Sequence, residues 1–326
     1  AQRTFAVQRR VDTRASAGQR PRHFLNIDAI SADDLRAIVD AAHALKKAGK
    51  RPPEHLQPPG ITDAVLAMIF EKPSTRTRVS FDVAMRQLGG QTIVLNHGDL
   101  QLGRGESVSD TANVLSRYVD AIMLRANSHD SLVELADSAT IPVINGLTDF
   151  SHPCQVMADI MTFEENLGNI SGQKVAWVGD GNNVATSWMH AAASFKFKLA
   201  IACPGQLRPH KAVIDAAQQA GADVEVTDDP QTAVDGANCV VTDTWVSMGQ
   251  TDETYRKQLL APFAVDSTLM DQAAKGAVFM HCLPAYRGHE VSADVIDGPQ
   301  SVVFDEADNR LHAQKAILAW CLGGLT

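Results

Sequence analysis

Short apolar segments alternate with amphipathic segments along most of this chain, and this alternation restricts the possible folds more than any other feature. Residues 64–70 are all apolar, as expected of a buried strand, and a helical repeat of apolar side chains follows them up to Gly89. Further strands are predicted at 92–95, 121–124, 141–145, 175–178, 198–202, 223–227, 239–242 and 277–281. Strands that alternate with helices of this length predict an α/β protein with mostly parallel, doubly wound sheets.

A glycine-containing break at residues 168–172 divides the alternation into two parts. Because a length of 326 residues suits two domains, we expect two doubly wound parallel-sheet domains joined by interdomain helices. The predicted divisions are a basic tail at 1–22, a first domain at 23–153 completed by a C-terminal helix at 306–326, a linking helix at 154–168 and a second domain at 169–305.

Composition excludes several classes of protein. The formal net charge of −9 argues against nucleic-acid binding, and no apolar run is long enough to span a membrane. The five cysteines are odd in number and widely spread, without a Cys-x-x-Cys pair. A disulfide framework or a structural zinc site is therefore not expected, and a reducing compartment is indicated. Small-molecule substrates remain open.

Residues 1–22 differ in composition from the rest of the chain. They hold six arginines but a single acidic residue, Asp12, and show no apolar periodicity. Two interpretations stay open at this point: a disordered basic tail, or the remnant of an arginine-rich, acid-poor organellar transit segment.

The run Ser74-Thr75-Arg76-Thr77-Arg78 directly follows a predicted buried strand and begins a helix. Ser74 is a natural N-cap residue, so the next three residues occupy a first turn whose backbone N–H groups and dipole attract anions. An ordinary capped helix with two solvated arginines is the simpler alternative. The combination of strand, hydroxyls and guanidinium favours a phosphate site, and the absence of a Walker loop favours a small phosphorylated substrate over a nucleoside triphosphate.

Other reactive side chains also follow predicted strands, and the carboxyl ends of parallel strands are where ligands bind. Arg125, Asp243 and Cys282 each lie at or just after a strand end, and His152 begins the helix after another strand. A helix-start histidine and a buried structural cysteine are the alternatives for His152 and Cys282. We expect the functional site at this edge of the sheets.

The turn at residues 179–183 is similar to a dinucleotide fingerprint, but its third glycine is missing and no acid follows the next strand. A NAD-dependent dehydrogenase would need both features. We interpret this turn as a tight strand–helix connection that brings Asn182 and Asn183 to the domain edge. A non-catalytic phosphate- or amino-acid-binding protein is a further alternative.

With these residues in place, the chain resembles the aspartate/ornithine carbamoyltransferase family from about residue 22 to residue 321. Residues 74–78 match the carbamoyl-phosphate motif that the family shares. The ornithine branch of the family is matched by His152-Pro153-Cys154-Gln155, by Asp243 with Ser247-Met248-Gly249, and by His281-Cys282-Leu283-Pro284. Around Ser187-Trp188 and Ala202-Cys203-Pro204 the chain looks nearest to plastid members, which points to the chloroplast stroma, with the mitochondrial matrix or the bacterial cytoplasm as alternatives.

The resemblance implies transfer of a carbamoyl group from carbamoyl phosphate to the δ-amine of L-ornithine, which gives citrulline and phosphate. Putrescine or N-acetylornithine is the alternative acceptor. The reaction site would lie in the cleft between a carbamoyl-phosphate-binding first domain and an ornithine-binding second domain. No metal, organic cofactor, nucleic acid or membrane partner is implied. A homotrimer is implied, in which the loop at 97–109 reaches the neighbouring subunit's site with Gln101.

The resemblance also implies a set of site residues. For carbamoyl phosphate they are Ser74, Thr75, Arg76, Thr77, Gln101, Arg125, His152, Gln155, Cys282 and Arg310. For ornithine they are Asn183, Asp243, Ser247, Met248, Cys282 and Leu283. The catalytic subset is Arg76, His152, Gln155, Cys282 and Arg310. Cys282 lacks an obvious base, so we do not expect it to act as a nucleophile.

Overall fold

The computed structural model describes residues 21–96, 98, 105–246 and 252–325. These residues form two sheets in which all paired strands are parallel, with the strand orders β2-β1-β3-β4 and β7-β6-β5-β8-β9. The predicted fold of two parallel-sheet α/β domains is therefore confirmed. The strands are β1 Val65–Phe70, β2 Gln91–Asn96, β3 Ala121–Arg125, β4 Val143–Leu147, β5 Lys174–Val178, β6 Lys198–Ala202, β7 Asp223–Thr227, β8 Cys239–Thr242 and β9 Val278–His281.

Helices connect most of these strands. They are α1 Ala32–Ala48, α2 Thr75–Leu88, α3 Val108–Leu115, α4 His129–Ser138, α5 Pro153–Leu167, α6 Asn183–Phe195, α7 Lys211–Gln219, α8 Pro230–Val234, α9 Glu253–Leu260, α10 Ser267–Met270, α11 Ala293–Ile296 and α12 Val303–Cys321. Single 3-10 turns lie at Ile27–Ala29, Glu54–Leu56, Ile61–Asp63, Gly205–Leu207 and Ala261–Phe263. Across the described residues, no helix combines the length and apolar character that crossing a membrane requires.

Both faces of each sheet are covered, which explains why the strands are apolar without alternation. On β1, Leu66 and Met68 belong to one buried cluster and Ala67 and Ile69 to another. The second sheet repeats this division, since Trp177 of β5 packs in the first cluster while its neighbours Ala176 and Val178 pack in a third.

The predicted boundaries of α2 follow from its capping residues. The Ser74 hydroxyl accepts a hydrogen bond from the Thr77 backbone N–H at 3.4 Å, and Gly89 ends the helix with a φ of 109°. Glycine adopts this left-handed conformation without the steric cost that other residues incur.

Strand β4 begins and ends two residues later than its predicted range of 141–145. Pro142 has no N–H to donate to a sheet ladder, so pairing with β3 starts at Val143. The strand continues through Gly146. A side chain at this position would collide with Met123 on the neighbouring strand. Glycine at this position therefore permits close strand packing and is not a strand terminator.

Helix α12 joins the two halves of the molecule. It packs against α1, α2 and α5 and also touches β9 of the second sheet. Lys46 of α1 donates a hydrogen bond to Asn309 of α12 at 2.7 Å. Arg22 lies at the end of the predicted tail, yet it donates to the Leu325 carbonyl at 2.8 Å and lies over the Trp320 ring.

Candidate active site

The N-terminus of α2 forms one wall of a cleft between the two sheets. Thr75 and Arg76 are exposed in its first turn, whereas Thr77 is buried and accepts a hydrogen bond from Arg310 Nη2 at 3.1 Å. The turn therefore presents backbone N–H groups, a hydroxyl and a guanidinium to one side of the cleft, an arrangement suited to a phosphate.

Three arginines meet beside this turn. Arg125, at the end of β3, is 8% exposed, and its Nε has no hydrogen-bond partner among the described residues. Burial, together with the nearby Arg310 and Arg76, lowers the pKa of Arg125 to about 10. The three guanidinium groups repel one another in a partly buried cleft. An anion bound between them would relieve this repulsion, so the cluster attracts anions strongly.

His152 is the N-cap residue of α5 and is buried beside the arginines. Burial, then Arg310 and Arg125, lowers the pKa of His152 well below its usual value. Its backbone N–H donates to the Ser187 hydroxyl at 2.8 Å, while its ring Nδ1 lacks a partner in the described part of the chain. A neutral imidazole at this place can donate one hydrogen bond without adding charge.

Gln155 lies one turn further along α5 and borders the cleft, although only 1% of its surface is exposed. Its carbonyl oxygen accepts from Arg310 Nη1 at 2.6 Å. Its amide nitrogen donates to Asp159 at 2.7 Å and to Glu306 at 3.0 Å. The orientation of the Gln155 amide is therefore set by contacts on both of its ends.

The opposite wall of the cleft carries Asp243, at the end of β8, and the turn after β9. The Asp243 carboxylate accepts hydrogen bonds from the Cys282 thiol at 3.2 Å, Asn182 Nδ2 at 2.7 Å and the Thr244 N–H at 2.7 Å. These three donors are uncharged. The carboxylate is thus placed to receive an ammonium group.

Cys282 is not activated as a nucleophile. Burial, followed by the neighbouring Asp243 carboxylate, raises the pKa of the Cys282 thiol well above its usual value. Since the thiolate is the nucleophilic form, this environment suits a packing and hydrogen-bonding role. It agrees with the expectation drawn from the sequence.

The two walls are connected directly. Arg76 Nη2, on α2, donates to the Leu283 carbonyl at 2.8 Å, although the two residues are 207 positions apart. A cavity of about 360 Å³ lies here, bordered by Thr75, Arg76, Gln155, Cys282, Glu306 and Arg310. The structure therefore brings the phosphate-binding motif and the His281-Cys282-Leu283-Pro284 motif to the same cleft.

Asn183 is the first residue of α6. Its side chain donates to the Thr148 carbonyl at 2.7 Å, while the adjacent Asn182 contacts Asp243 and caps α6. Gln101, Ser247 and Met248, also expected in the site, lie outside the described residues.

Sequence reasoning missed Asp159 and Glu306, which contact the site from behind. Each lies four residues from a predicted site residue on its helix: Asp159 from Gln155, and Glu306 from Arg310. That spacing puts both side chains of a pair on one helix face and was a usable signal.

Asp243, His281 and Cys282 form a group that could hold a metal ion, with ligand atoms within 4.8 Å of one another. However, His281 Nδ1 accepts from the Leu283 N–H at 2.9 Å, and His281 Nε2 lies 3.3 Å from Glu290. Both ring nitrogens are engaged, so metal binding by His281 would require rearrangement of the turn after β9.

Comparisons with known proteins place this chain in a family. Residues 22–165 match the carbamoyl-phosphate-binding domain of the aspartate/ornithine carbamoyltransferases, and residues 171–321 match the aspartate/ornithine-binding domain. An ornithine carbamoyltransferase of Nitrobacter winogradskyi is 59% identical over 93% of this chain and 98% of the relative. One from Rhodopseudomonas palustris BisA53 is 59% identical over 94% of this chain and 98% of the relative.

Solved structures agree with these relatives. The ornithine carbamoyltransferase of Pyrococcus furiosus superposes with a TM-score of 0.87 at 48% identity, covering 94% of this chain and 99% of that one. The ornithine carbamoyltransferase of Burkholderia thailandensis superposes with a TM-score of 0.84 at 44% identity, covering 94% of this chain and 100% of that one. The relatives at 59% identity are bacterial and lend no support to a plastid likeness. The chain belongs to the aspartate/ornithine carbamoyltransferase family.

Proposed function

We propose that this chain transfers the carbamoyl group of carbamoyl phosphate to the δ-amine of L-ornithine, producing citrulline and phosphate. One observation carries the proposal: a cluster of three arginines faces the same cleft as the Asp243 carboxylate, whose three donors among the described residues are uncharged. The cluster suits the phosphate of one substrate, and the carboxylate suits the α-ammonium of the other. The relatives named ornithine carbamoyltransferase support the same reaction.

The phosphate end of the reaction belongs to the α2 turn and the arginines. Ser74, Thr75, Arg76 and Thr77 would bind the phosphate through the helix N-terminus. Arg125 would bind it through its guanidinium, whose Nε has no partner among the residues that the structure describes. The phosphate gains negative charge as the C–O bond to the carbamoyl carbon breaks. Fixed positive groups stabilise this leaving group without reorganising.

The carbamoyl group would lie between Arg310, His152 and Gln155. When the amine attacks, the carbonyl oxygen becomes an oxyanion, which neutral His152 and the guanidinium groups of Arg76 and Arg310 stabilise as donors. Gln155, held by Arg310, would orient the carbamoyl amide. Orientation lowers the barrier because the reacting atoms meet in one geometry.

The acceptor end belongs to the second domain. Asp243 would pair with the α-ammonium of ornithine, and Asn183, Ser247 and Met248 would complete the pocket. Cys282 and Leu283 would lie against the side chain near the reacting δ-amine. This amine attacks only when neutral, and its proton leaves after the new C–N bond forms; no covalent enzyme intermediate is required.

Further properties form part of the same proposal. The assembly would be a homotrimer in which residues 97–109 bring Gln101 to a neighbour's site, and the reaction would need no metal or organic cofactor. Domains at 23–153, completed by 306–326, and at 169–305 would bind the two substrates, with 154–168 between them. The bacterial relatives favour the bacterial cytoplasm over an organelle, and citrulline formation would serve arginine biosynthesis.

Carbon-labelled carbamoyl phosphate tests this proposal. After incubation with ornithine, NMR spectroscopy should show the label in the ureido carbon of citrulline, with one phosphate released per citrulline. Binding of carbamoyl phosphate without label transfer would instead indicate a non-catalytic binding protein.

A further inference from the structure

A pair of buried carboxyl groups lies directly behind Gln155. Asp159 on α5 and Glu306 on α12 are each 1% exposed. They contact each other by a hydrogen bond, and both accept from the Gln155 amide nitrogen, at 2.7 and 3.0 Å. Burial of a carboxyl group costs folding free energy unless its hydrogen bonds are satisfied. Two such groups in contact at this place therefore need a structural or functional reason.

The pair determines which end of the Gln155 amide faces the cleft. An amide has two N–H donors and one carbonyl oxygen with two acceptor positions. Both donors are directed to the carboxyl oxygens, and Arg310 occupies one acceptor position of the oxygen. The remaining capacity of Gln155 toward a ligand is therefore that of an acceptor.

The charges of the pair are consistent with this arrangement. Burial raises the pKa of both Asp159 and Glu306, and Asp159 raises that of Glu306 further. Two adjacent carboxylates would be unfavourable in this buried place, so both shifts favour a pair that shares a proton beside Arg310.

Glu306 also connects the two walls of the cleft. Its second oxygen accepts from the His281 backbone N–H at 2.8 Å, immediately before Cys282. The Glu306 side chain thus contacts both Gln155, which is proposed to bind the carbamoyl group, and the start of the turn that carries Cys282 and Leu283.

We propose that Asp159 and Glu306 are positioning residues that hold Gln155 as a hydrogen-bond acceptor and so select a ligand with an amide N–H at the transferred group. This inference rests on the proposed function, because it assumes that Gln155 faces the carbamoyl group. It adds a specificity role for two residues that act through Gln155.

A matched pair of stable ligands tests the inference by binding alone. Phosphonoacetamide has an amide NH₂ where acetonylphosphonate has a methyl group, and both carry the same phosphonate. The wild-type protein should bind the amide about tenfold more tightly, because the methyl group cannot supply the second donor to the Gln155 oxygen. Calorimetry gives both dissociation constants, and inorganic phosphate serves as a reference ligand.

Three variants separate positioning from general stability. Asp159→Ala should reduce the tenfold preference to about twofold or less while phosphate affinity stays within about twofold. Asp159→Asn keeps an acceptor oxygen for Gln155 and should restore the preference. Thr162→Ala is the matched control: Thr162 is also buried on α5 and accepts from Asn309 of α12 at 2.9 Å, but its hydroxyl bonds to Ala158 and Asn309 and not to Gln155. It should lower stability and leave the preference unchanged.

A preference that survives Asp159→Ala, or that falls equally in Thr162→Ala, would overturn the inference. Should Asp159→Ala not fold, a crystal structure of the wild-type protein with phosphonoacetamide decides. The Gln155 atom bonded to Arg310 must be the one that contacts the ligand nitrogen; contact through the atom bonded to the carboxyl pair would overturn the inference. A wild-type protein that discriminates these ligands but makes no citrulline would refute the proposed function and leave the positioning role intact.

Discussion

Arg76 is the residue that contributes to both halves of the site. Its position in the first turn of α2 places it at the proposed phosphate site, and its hydrogen bond to the Leu283 carbonyl at 2.8 Å extends it across the cleft. The planar guanidinium can hold two such partners at once because its donors point in fixed directions. A lysine ammonium has the same charge but lacks this geometry.

Arg76→Lys should therefore lower kcat by at least about a hundredfold, since one guanidinium serves the leaving phosphate and the oxyanion. The melting temperature should be nearly unchanged because Arg76 is exposed. Arg78→Lys, an exposed neighbour on the same helix, is the control and should keep near-normal turnover. Normal kcat in Arg76→Lys would remove the α2 turn from the mechanism.

Asp243 is the residue that should select the α-amino group of the acceptor. In N-acetylornithine this amine is acylated and uncharged, so it cannot form an ion pair with the carboxylate. Asp243→Asn should lower the kcat/KM ratio of ornithine to N-acetylornithine by at least about tenfold, or about 1.4 kcal/mol. Asp228→Asn, at an exposed position after β7, is the control. An unchanged ratio in Asp243→Asn would show that this carboxylate does not bind the α-ammonium.

At the scale of elements, the carboxyl ends of the strands account for much of the site. The sequence alone placed Arg76, Arg125, His152 and Asp243 near such ends, and the structure brings all four to one cleft. It could not reveal the pairing of Gln155 with Glu306, because these residues are 151 positions apart and meet only through the packing of α5 on α12. The predicted start of β4 was two residues too early for a local reason. The prediction gave more weight to the apolar character of residues 141–145 than to the backbone N–H that Pro142 lacks.

The α1–α5 contact provides a test of how the helices hold together. Arg36 on α1 donates two hydrogen bonds to Glu164 on α5, at 2.7 and 2.9 Å. Burial opposes ionisation of Glu164, but hydrogen bonds from His43 and Arg36 lower its pKa to about 2. A carboxylate with a lowered folded-state pKa contributes stability above its unfolded pKa of about 4.3 and loses it as the pH falls toward 2.

Glu164→Gln should lower the free energy of unfolding by about 1–2 kcal/mol at pH 7, a value reduced from the buried case because Arg36 is partly exposed. The difference from wild type should shrink between pH 4.5 and pH 2. Urea denaturation at several pH values measures it, with Glu134→Gln on the exposed face of α4 as the control. A constant difference at every pH would mean that the ion pair is not its cause.

At the scale of the whole molecule, the reaction site depends on two sheets that meet through α5 and α12. Neither sheet carries both the arginine cluster and Asp243, so each domain alone holds only one half of the chemistry. Cleft residues from the two halves already touch through Arg76 and Leu283 and through Glu306 and His281. Binding of both substrates in one cleft follows from this division.

The proposed trimer predicts complementation between two inactive variants. Gln101→Ala would impair a neighbour's site, and Arg76→Lys impairs the subunit's own site. After mixing and subunit exchange at equal amounts, about a quarter of the sites should combine an intact Arg76 with a neighbour's intact Gln101. Activity should rise to about a quarter of the wild-type value. Absence of recovery after confirmed exchange, or full activity of a monomer, would contradict the shared site.

The most direct test of the central claim is a steady-state comparison of four acceptors: L-ornithine, putrescine, N-acetylornithine and L-aspartate. Each is supplied with carbamoyl phosphate at one pH, and the carbamoylated product is quantified. We predict that kcat/KM for ornithine exceeds that of every other acceptor by at least about a hundredfold. This value should also rise from pH 7 toward pH 9, because the attacking amine must be neutral and titrates near 10.4. Equal or faster reaction of any other acceptor, or no citrulline from ornithine, would contradict the proposed function.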